Sequence, residues 1–173
     1  MYKRQRNGDG VPSLVAALRA KDEDAAEALL DGGDDPNEVD GDGRNALHMA
    51  AEKGCRLPLF HRILGMIHNV NEDENDGKTA LMYAAICNHM DIVVSLMNHP
   101  GIDVNVQDRC YNRTALHEAV MYNRPAIVAQ LVSDDRVDTS LKSNNNWTPL
   151  QHAIRCGRPE CVKILREHGA PEE

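Results

Sequence analysis

The sequence predicts an all-α fold, a solenoid of stacked helix-turn-helix units joined by short β-hairpin-like loops. A short apolar run with a leucine recurs five times, at intervals of 33, 34, 35 and 34 residues, at Leu14, Leu47, Leu81, Leu116 and Leu150. A fixed period of this length indicates supersecondary units that stack and leave one long side face free. Aromatic residues make up only 3% of the chain, so we expect an aliphatic core of closely spaced helices.

The unit that contains Leu81 shows the order of elements. Residues 75–77 supply turn chemistry, and Thr79 is expected to cap the first helix with its side chain. Asn88 is expected to end that helix. Residues 90–97 then form a second helix whose apolar stripe faces the first. Pro100 and Gly101 close the unit.

The last unit follows the same order but has a more polar second helix. Pro149 stands in the first turn of a helix, where its missing N–H costs no hydrogen bond. Gly157 then separates this helix from the next, which carries Lys163, Arg166 and Glu167. A polar outer side is typical of a terminal repeat, because no further repeat covers it.

A four-residue motif with leucine in third place starts the first helix of four units, at residues 45–48, 79–82, 114–117 and 148–151. It resembles the Thr-Pro-Leu-His motif of ankyrin repeats, so these four units resemble that family. The resemblance implies an N-terminal capping repeat at 11–40 after a flexible N-terminus at 1–10. It implies repeats at 41–74, 75–108, 109–143 and 144–173, the last acting as a C-terminal cap.

Charge is distributed unevenly along the chain. The net charge is -8; residues 1–106 hold 18 acids and 10 bases, whereas residues 107–173 hold nine of each. The acidic first part argues against a nucleic-acid partner. The sequence also has no apolar stretch of the length that a signal peptide or a membrane span needs. Its five scattered cysteines favour reduced thiols in the cytoplasm or nucleus.

No catalytic or metal-binding constellation stands out, so neither enzymatic activity nor a cofactor or metal is expected. His48 and His117 occupy equivalent places in two units, which favours a hydrogen-bonding role at the helix start over a catalytic or metal-binding pair. Residues 71–77 resemble a calcium loop but lack its glycine and bidentate glutamate, so a solvated acidic hairpin is expected. Cys156 and Cys161 are too far apart for a zinc knuckle.

The family resemblance implies a binding surface made of the hairpin tips and the outward side of each first helix. In the second half of the chain this surface collects Tyr, Trp and Arg, the residue types that dominate interface hot spots. Trp147 is expected on a hairpin beside the first helix; the alternative is that it packs locally on its neighbours. The candidate binding residues are Arg44, Asp73, Asp76, Lys78, Arg109, Tyr111, Arg113, Met121, Tyr122, Trp147 and Arg155.

The resemblance therefore implies a monomeric, non-enzymatic adaptor or inhibitor that binds a protein or peptide. Acidic hairpins in the first two repeats and arginines in the last two predict a partner with separate basic and acidic segments. The alternative is a scaffolding module of a larger protein or a pathogen effector with the same fold. Fold alone does not name the partner.

Overall fold

The computed structural model describes residues 13–172, so the predicted flexible N-terminus at 1–10 lies outside the described part. Ten α-helices follow one another in these residues. They are α1 (Leu14–Arg19), α2 (Glu23–Asp31), α3 (Ala46–Lys53), α4 (Leu57–Leu64), α5 (Ala80–Cys87), α6 (Met90–Met97), α7 (Ala115–Met121), α8 (Pro125–Val132), α9 (Pro149–Arg155) and α10 (Pro159–Glu167).

The helices form two layers. The inner helices α1, α3, α5, α7 and α9 pack on one another in sequence, and the outer helices α4, α6, α8 and α10 do the same. Between residues 13 and 172 the only extended pairing is one isolated antiparallel bridge between Asp73 and Thr79. The predicted all-α solenoid is confirmed. We call the pair α1–α2 the cap and the following pairs units 1 to 4; the residue boundaries between them stay predictions.

Side chains at the helix starts explain where the inner helices begin. Asn45, Thr114 and Thr148 each accept a hydrogen bond from the backbone N–H three residues on, and the side chain at that position bonds back to the capping residue. Thr79 is the residue before α5, but its side chain makes no capping hydrogen bond. The prediction for Thr79 was wrong; the reciprocal bond is missing as well, because Met82, three residues on, has no group that could make it.

Helix ends and outer-helix starts also follow from local chemistry. Asn88 ends α5, as the sequence predicted, and it takes the left-handed conformation, with φ of 66°. Pro125 and Pro159 open α8 and α10, and Pro58 stands in the first turn of α4. Pro58 therefore leaves the helix pair of unit 1 intact.

The core is aliphatic, and small residues set the spacing of the inner helices. Ala50, Ala84, Ala119 and Ala153 occupy the same position in units 1 to 4 and are fully buried. A methyl side chain at each contact lets neighbouring helices approach closely. Phe60, the only phenylalanine, is fully buried in the outer layer.

Asparagine side chains connect the loops that follow the outer helices. Asn37 accepts a hydrogen bond from the His68 N–H at 2.9 Å and donates to the Met66 carbonyl at 3.1 Å. Asn71 and Asn105 make the same pair of bonds to the next unit, with distances of 2.7 to 2.8 Å. These three residues, 34 apart in the sequence, tie each loop to its neighbour along the stack.

The last unit has a polar outer helix, as predicted. Arg166 pairs with Glu172 at 2.7 Å, and Lys163 lies 3.9 Å from Glu167. None of the helices between residues 13 and 172 is long and apolar enough to span a lipid bilayer.

Candidate protein-binding surface

Each of the first three hairpins folds around one carboxylate. Asp40 accepts hydrogen bonds from the N–H groups of Asp42 and Arg44, both at 2.9 Å. Glu74 accepts from Asp76 and Lys78 in the same way, both at 3.1 Å. Glu74 is only 4% exposed, so the hairpin at 71–77 is not simply the solvated acidic loop that we expected from its sequence.

The third hairpin holds one extra residue without losing this arrangement. Asp108 accepts from the N–H groups of Cys110, Tyr111 and Arg113 at 2.9, 2.6 and 3.0 Å. Asn112 takes the left-handed conformation, with φ of 55°, that closes the wider turn. The side chain of Tyr111 is consequently held out at the tip, 53% exposed.

Backbone hydrogen bonds join the four hairpins into one continuous edge. The Asn75 N–H donates to the Asp42 carbonyl at 3.0 Å, and the Arg109 N–H donates to the Asp76 carbonyl at 3.0 Å. The Asn144 N–H donates to the Tyr111 carbonyl at 2.8 Å. The hairpin tips therefore lie side by side and form a single surface along the stack.

The two equivalent histidines hold the inner helices to these hairpins. In both, Nδ1 accepts the N–H of the capping residue, at 3.3 Å from Asn45 to His48 and 3.2 Å from Thr114 to His117. Nε2–H then donates to a carbonyl of the next hairpin. The predicted hydrogen-bonding role is confirmed. Burial lowers the pKa of His48, and it lowers the pKa of His117 to about 4.

The predicted charged residues of units 1 and 2 are already partly engaged within the protein. Arg44, whose side chain is 19% exposed, pairs with Asp40 and Asp42 and lies 3.4 Å from Glu52. Asp73 pairs with Arg109 of the next hairpin at 2.8 Å. Asp76 is exposed, and Lys78 is half-buried. The acidic tips therefore present Asp42 and Asp76 to solvent.

Arg113 is more buried than its predicted role suggested. Its side chain is 16% exposed, with the guanidinium 4.5 Å from the centre of the Tyr111 ring and 3.8 Å from the carboxylate of Glu118. Sequence reasoning missed Glu118, which is 2% exposed. Burial raises the pKa of Glu118, and the nearby Arg113 opposes that rise. Arg113 thus connects a buried carboxylate to an exposed aromatic ring.

Trp147 is half-buried, so both interpretations of it were partly right. Its ring contacts His152 edge-on, with centroids 5.2 Å apart, which is the local packing that the alternative described. Its other contact is the guanidinium of Arg155, 4.1 Å from the ring centre. In this cation–π pair Trp147 is half-buried and Arg155 is exposed.

The C-terminal ends of α7 and α9 continue the surface below the hairpins. Tyr122 follows α7 and is 50% exposed. Met121 lies beside it, with its sulfur 3.8 Å from the Cys156 sulfur of unit 4. The structure thereby brings one candidate of unit 3, Met121, into contact with unit 4 across the unit boundary.

The residue types that bind metals are not grouped in the part of the chain that is described. Between residues 13 and 172, no group of three or more His, Cys, Asp or Glu side chains is arranged to hold a metal ion. The five cysteines are free thiols. Burial raises the pKa of Cys55 to about 12, which keeps this thiol protonated.

Comparison with known proteins agrees with this geometry. A family model for ankyrin repeats, in three copies, matches residues 14–108 and 101–172. The chain is similar to SMC5-SMC6 complex localization factor protein 1 of Bos taurus, with 35% identity over 103 residues that cover 60% of this chain and 10% of that protein.

Two further relatives are similar over more of the chain. Inversin of Gallus gallus is 32% identical over 127 residues, which cover 73% of this chain and 11% of inversin. The nuclear factor NF-kappa-B p105 subunit of Gallus gallus is 28% identical over 161 residues, 91% of this chain and 16% of that protein. The chain thus spans between a tenth and a sixth of the length of these relatives. The motifs, the helix pairs and the family match together show that this chain belongs to the ankyrin repeat family.

Proposed function

We propose that this protein is a non-enzymatic adaptor or inhibitor that binds a partner protein or peptide through its hairpin tips and inner helices. Ankyrin repeats are generally protein–protein interaction modules. The observation that carries the proposal is the pair of exposed tyrosines in unit 3, Tyr111 at 53% and Tyr122 at 50%. Exposed large aromatic side chains next to arginines are typical of interface hot spots.

Contacts across the unit boundary support a single surface at units 3 and 4. The hydrogen bond from Asn144 to Tyr111 joins the two hairpins. The Arg158 guanidinium, from the residue just before α10, donates to the Met121 carbonyl at the end of α7 at 3.2 Å and joins the two units there. A partner that contacts Tyr122 can therefore reach the Trp147–Arg155 pair without leaving the surface.

Charge favours a partner with two different segments. The exposed Asp42 and Asp76 would attract a basic segment to units 1 and 2, and Arg155 would attract an acidic segment to unit 4. Such complementarity sets the orientation of the partner more than its affinity. The proposed setting is the cytoplasm or the nucleus, in keeping with the five free thiols.

Affinity capture from cell lysate with quantitative mass spectrometry tests this proposal. The wild-type protein is compared with the double variant Tyr111→Ala, Tyr122→Ala, and with Met66→Ala as the matched control. Met66 is also exposed, at 41%, but lies in the loop after an outer helix. We expect a set of proteins that wild type and control retain and the double variant loses. The same proteins captured by all three would show that the tyrosines are not the binding surface.

A scaffolding module within a larger protein is the second candidate. It is favoured by the small share, 10% to 16%, that the matched region occupies in the relatives described above. Immunoblotting with an antibody against residues 13–172 measures the size of the natural product. A band much larger than 19.2 kDa would support this candidate.

A further inference from the structure

A cavity opens at the end of the stack beside α9. Its volume is about 190 Å³, and it is lined by Trp147, Gln151, Ile154 and Arg155. Ile154 is 47% exposed, whereas the residues at its position in the preceding units are buried. Those residues are Ala51, Ala85 and Val120. Two of the four lining positions, those of Gln151 and Ile154, are thus buried in every preceding unit.

The preceding units show what occupies the equivalent place. His48 stands at the position of Gln151 in unit 1, and the ring of Tyr83 from the next unit meets it edge-on, with centroids 6.2 Å apart at 88°. In unit 3 the ring of His152 meets His117 in the same way, at 5.5 Å and 87°. A planar ring supplied by the neighbour therefore fills this place twice within the chain. At the equivalent place in unit 4, a ring would lie against Gln151, whose Nε2 also donates to the Glu172 carbonyl at 3.3 Å, and beside Ile154.

The charged groups around the cavity indicate that the molecule bound there carries a carboxylate. In unit 1 the positions of Trp147 and Arg155 hold Arg44 and Glu52, whose charges lie 3.4 Å apart. In unit 4 the guanidinium stacks on the indole instead, and no carboxylate among residues 13–172 forms an ion pair with it. The stacked guanidinium keeps its N–H donors free at the rim, where they can bind a carboxylate in the plane of the group.

We propose that this cavity is the anchor site for a partner peptide in which an aromatic side chain is followed by a carboxylate. The ring would enter between Trp147 and Ile154, and the carboxylate would pair with Arg155. The inference rests on the proposed function and specifies the partner chemistry at one end of the surface. A second copy stacked end to end is a poorer match, since residues 13–31, which form the cap helices, contain no aromatic residue.

Trp147 is the only tryptophan in the chain, so its indole N–H gives a single reporter signal in a ¹H–¹⁵N NMR spectrum. The probes are four acetylated and amidated peptides, Gly-Phe-Asp-Gly, Gly-Phe-Asn-Gly, Gly-Phe-Lys-Gly and Gly-Ala-Asp-Gly. We expect the Phe-Asp peptide to shift the indole signal and to bind at least about threefold more tightly than the other three, as a charge-assisted hydrogen bond at an exposed site allows.

Two variants test whether the preference for the Phe-Asp peptide depends on Arg155. Arg155→Gln should remove the preference for Phe-Asp over Phe-Asn. Arg62→Gln is the matched control, because Arg62 is also an exposed arginine but pairs with Asp31, and it should leave the preference unchanged. Loss of the preference in both variants, or in neither, would overturn the role given to Arg155.

Other outcomes would overturn the proposed anchor site and leave the proposed function unaffected. An indole signal that no peptide shifts, or that the Phe-Lys peptide shifts equally, would exclude an acidic aromatic anchor. A signal that moves with protein concentration alone would assign the cavity to a second copy. The capture experiment depends on Tyr111 and Tyr122, which do not line the cavity, so each proposal can fail while the other stands.

Discussion

His117 holds unit 4 to unit 3 through a hydrogen bond from its Nε2–H to the backbone carbonyl of Trp147, at 3.2 Å. The opposite ring nitrogen accepts the Thr114 N–H at 3.2 Å. Both bonds together require the neutral imidazole with its proton on Nε2. Burial is the main reason that the pKa of His117 lies at about 4 instead of 6.5.

The buried, neutral His117 makes the stability of the stack depend on pH. The unfolded chain binds a proton at His117 near pH 6.5 and the folded chain only near pH 4, so between these values the unfolded state holds more protons. The free energy of unfolding therefore falls as the pH falls through this window. We expect His117 alone to account for a loss of about 3 kcal/mol between pH 7 and pH 4. Urea unfolding followed by circular dichroism at both pH values measures the loss.

His117→Gln is the control variant, because glutamine already stands at the equivalent position of another unit. Gln151 occupies this position in unit 4, where its Oε1 accepts the Thr148 N–H at 3.0 Å and its Nε2 donates to the Glu172 carbonyl at 3.3 Å. The variant can thus keep both bonds but cannot titrate. Between pH 7 and pH 4, its free energy of unfolding should fall by about 2 to 3 kcal/mol less than that of the wild-type protein. An equal loss in both proteins would mean that other groups control acid unfolding.

Leu116→Ala should destabilise the middle of the stack. Leu116 is 1% exposed on α7, which packs against α5, α8 and α9. Removing a buried leucine side chain costs about 2 to 5 kcal/mol, depending on how far the cavity collapses. Denaturant unfolding measures this loss. Ile86→Ala is the matched control on α5, because Ile86 is only half-buried, and it should cost less than about 1.5 kcal/mol.

Hydrogen exchange of the same variants tests how strongly the units are coupled. Repeat units gain much of their stability from contacts with their neighbours. Leu116→Ala should therefore speed amide exchange in α5, α7 and α9 together. Faster exchange confined to α7 and α8 would argue against strong coupling.

Much of this fold followed from local sequence signals. The helix at 90–97 and the end of the preceding helix at Asn88 were predicted because periodicity and turn chemistry act within a few residues. The carboxylate of Glu74 was misjudged for the opposite reason. In the sequence it stands in an acidic run that reads as solvated, and only the closed hairpin turns its oxygens to the backbone N–H groups of Asp76 and Lys78.

The candidate surface was harder to predict than the fold, because its charges are set by contacts between units. Arg113 is neighboured by Glu118, which lies one turn along the following helix, and Arg109 pairs with Asp73 of the previous hairpin. A sequence pattern counts both arginines as free. Some missed features did leave a signal: Asp40, Glu74 and Asp108 recur at intervals of 34 residues, as a shared hairpin role requires.

Asn105→Ala should loosen the contact between units 2 and 3. The Asn105 side chain donates to the Arg136 carbonyl at 2.7 Å and accepts the Asp138 N–H at 2.8 Å. Losing both hydrogen bonds should lower the free energy of unfolding by about 1 to 3 kcal/mol. Chemical unfolding measures the loss, and hydrogen exchange should show faster exchange of the Asp138 amide.

Ser140→Ala is the matched control for the asparagine variant. Ser140 stands at the corresponding position of unit 3, and its hydroxyl donates to Asp138 of its own loop at 2.6 Å. Since this bond lies within one exposed loop, the variant should cost less than about 0.5 kcal/mol. Equal costs for Ser140→Ala and Asn105→Ala would contradict a role of the asparagines in joining units.

Gly77→Ala should break the edge that joins the second and third hairpins. Gly77 has φ of +86°, and a Cβ added there would lie 2.3 Å from the backbone nitrogen of Arg109. The backbone must then shift, which removes the 3.0 Å hydrogen bond from the Arg109 N–H to the Asp76 carbonyl. Gly33→Ala is the control, because Gly33 has φ of +90° but open space around it. It measures the cost of a side chain at positive φ without the clash.

The two glycine variants should therefore differ in how much stability they lose and in which amides exchange faster. Gly33→Ala should cost about 1 to 2 kcal/mol, which is the left-handed penalty of a residue with a Cβ. Gly77→Ala should cost about 1 to 3 kcal/mol more, as is usual when an added group forces the backbone to move. Urea unfolding gives both costs, and hydrogen exchange should show a faster Arg109 amide in Gly77→Ala only. If both variants lose the same stability and the Arg109 amide is unchanged, the hairpins are not held in one edge by this contact.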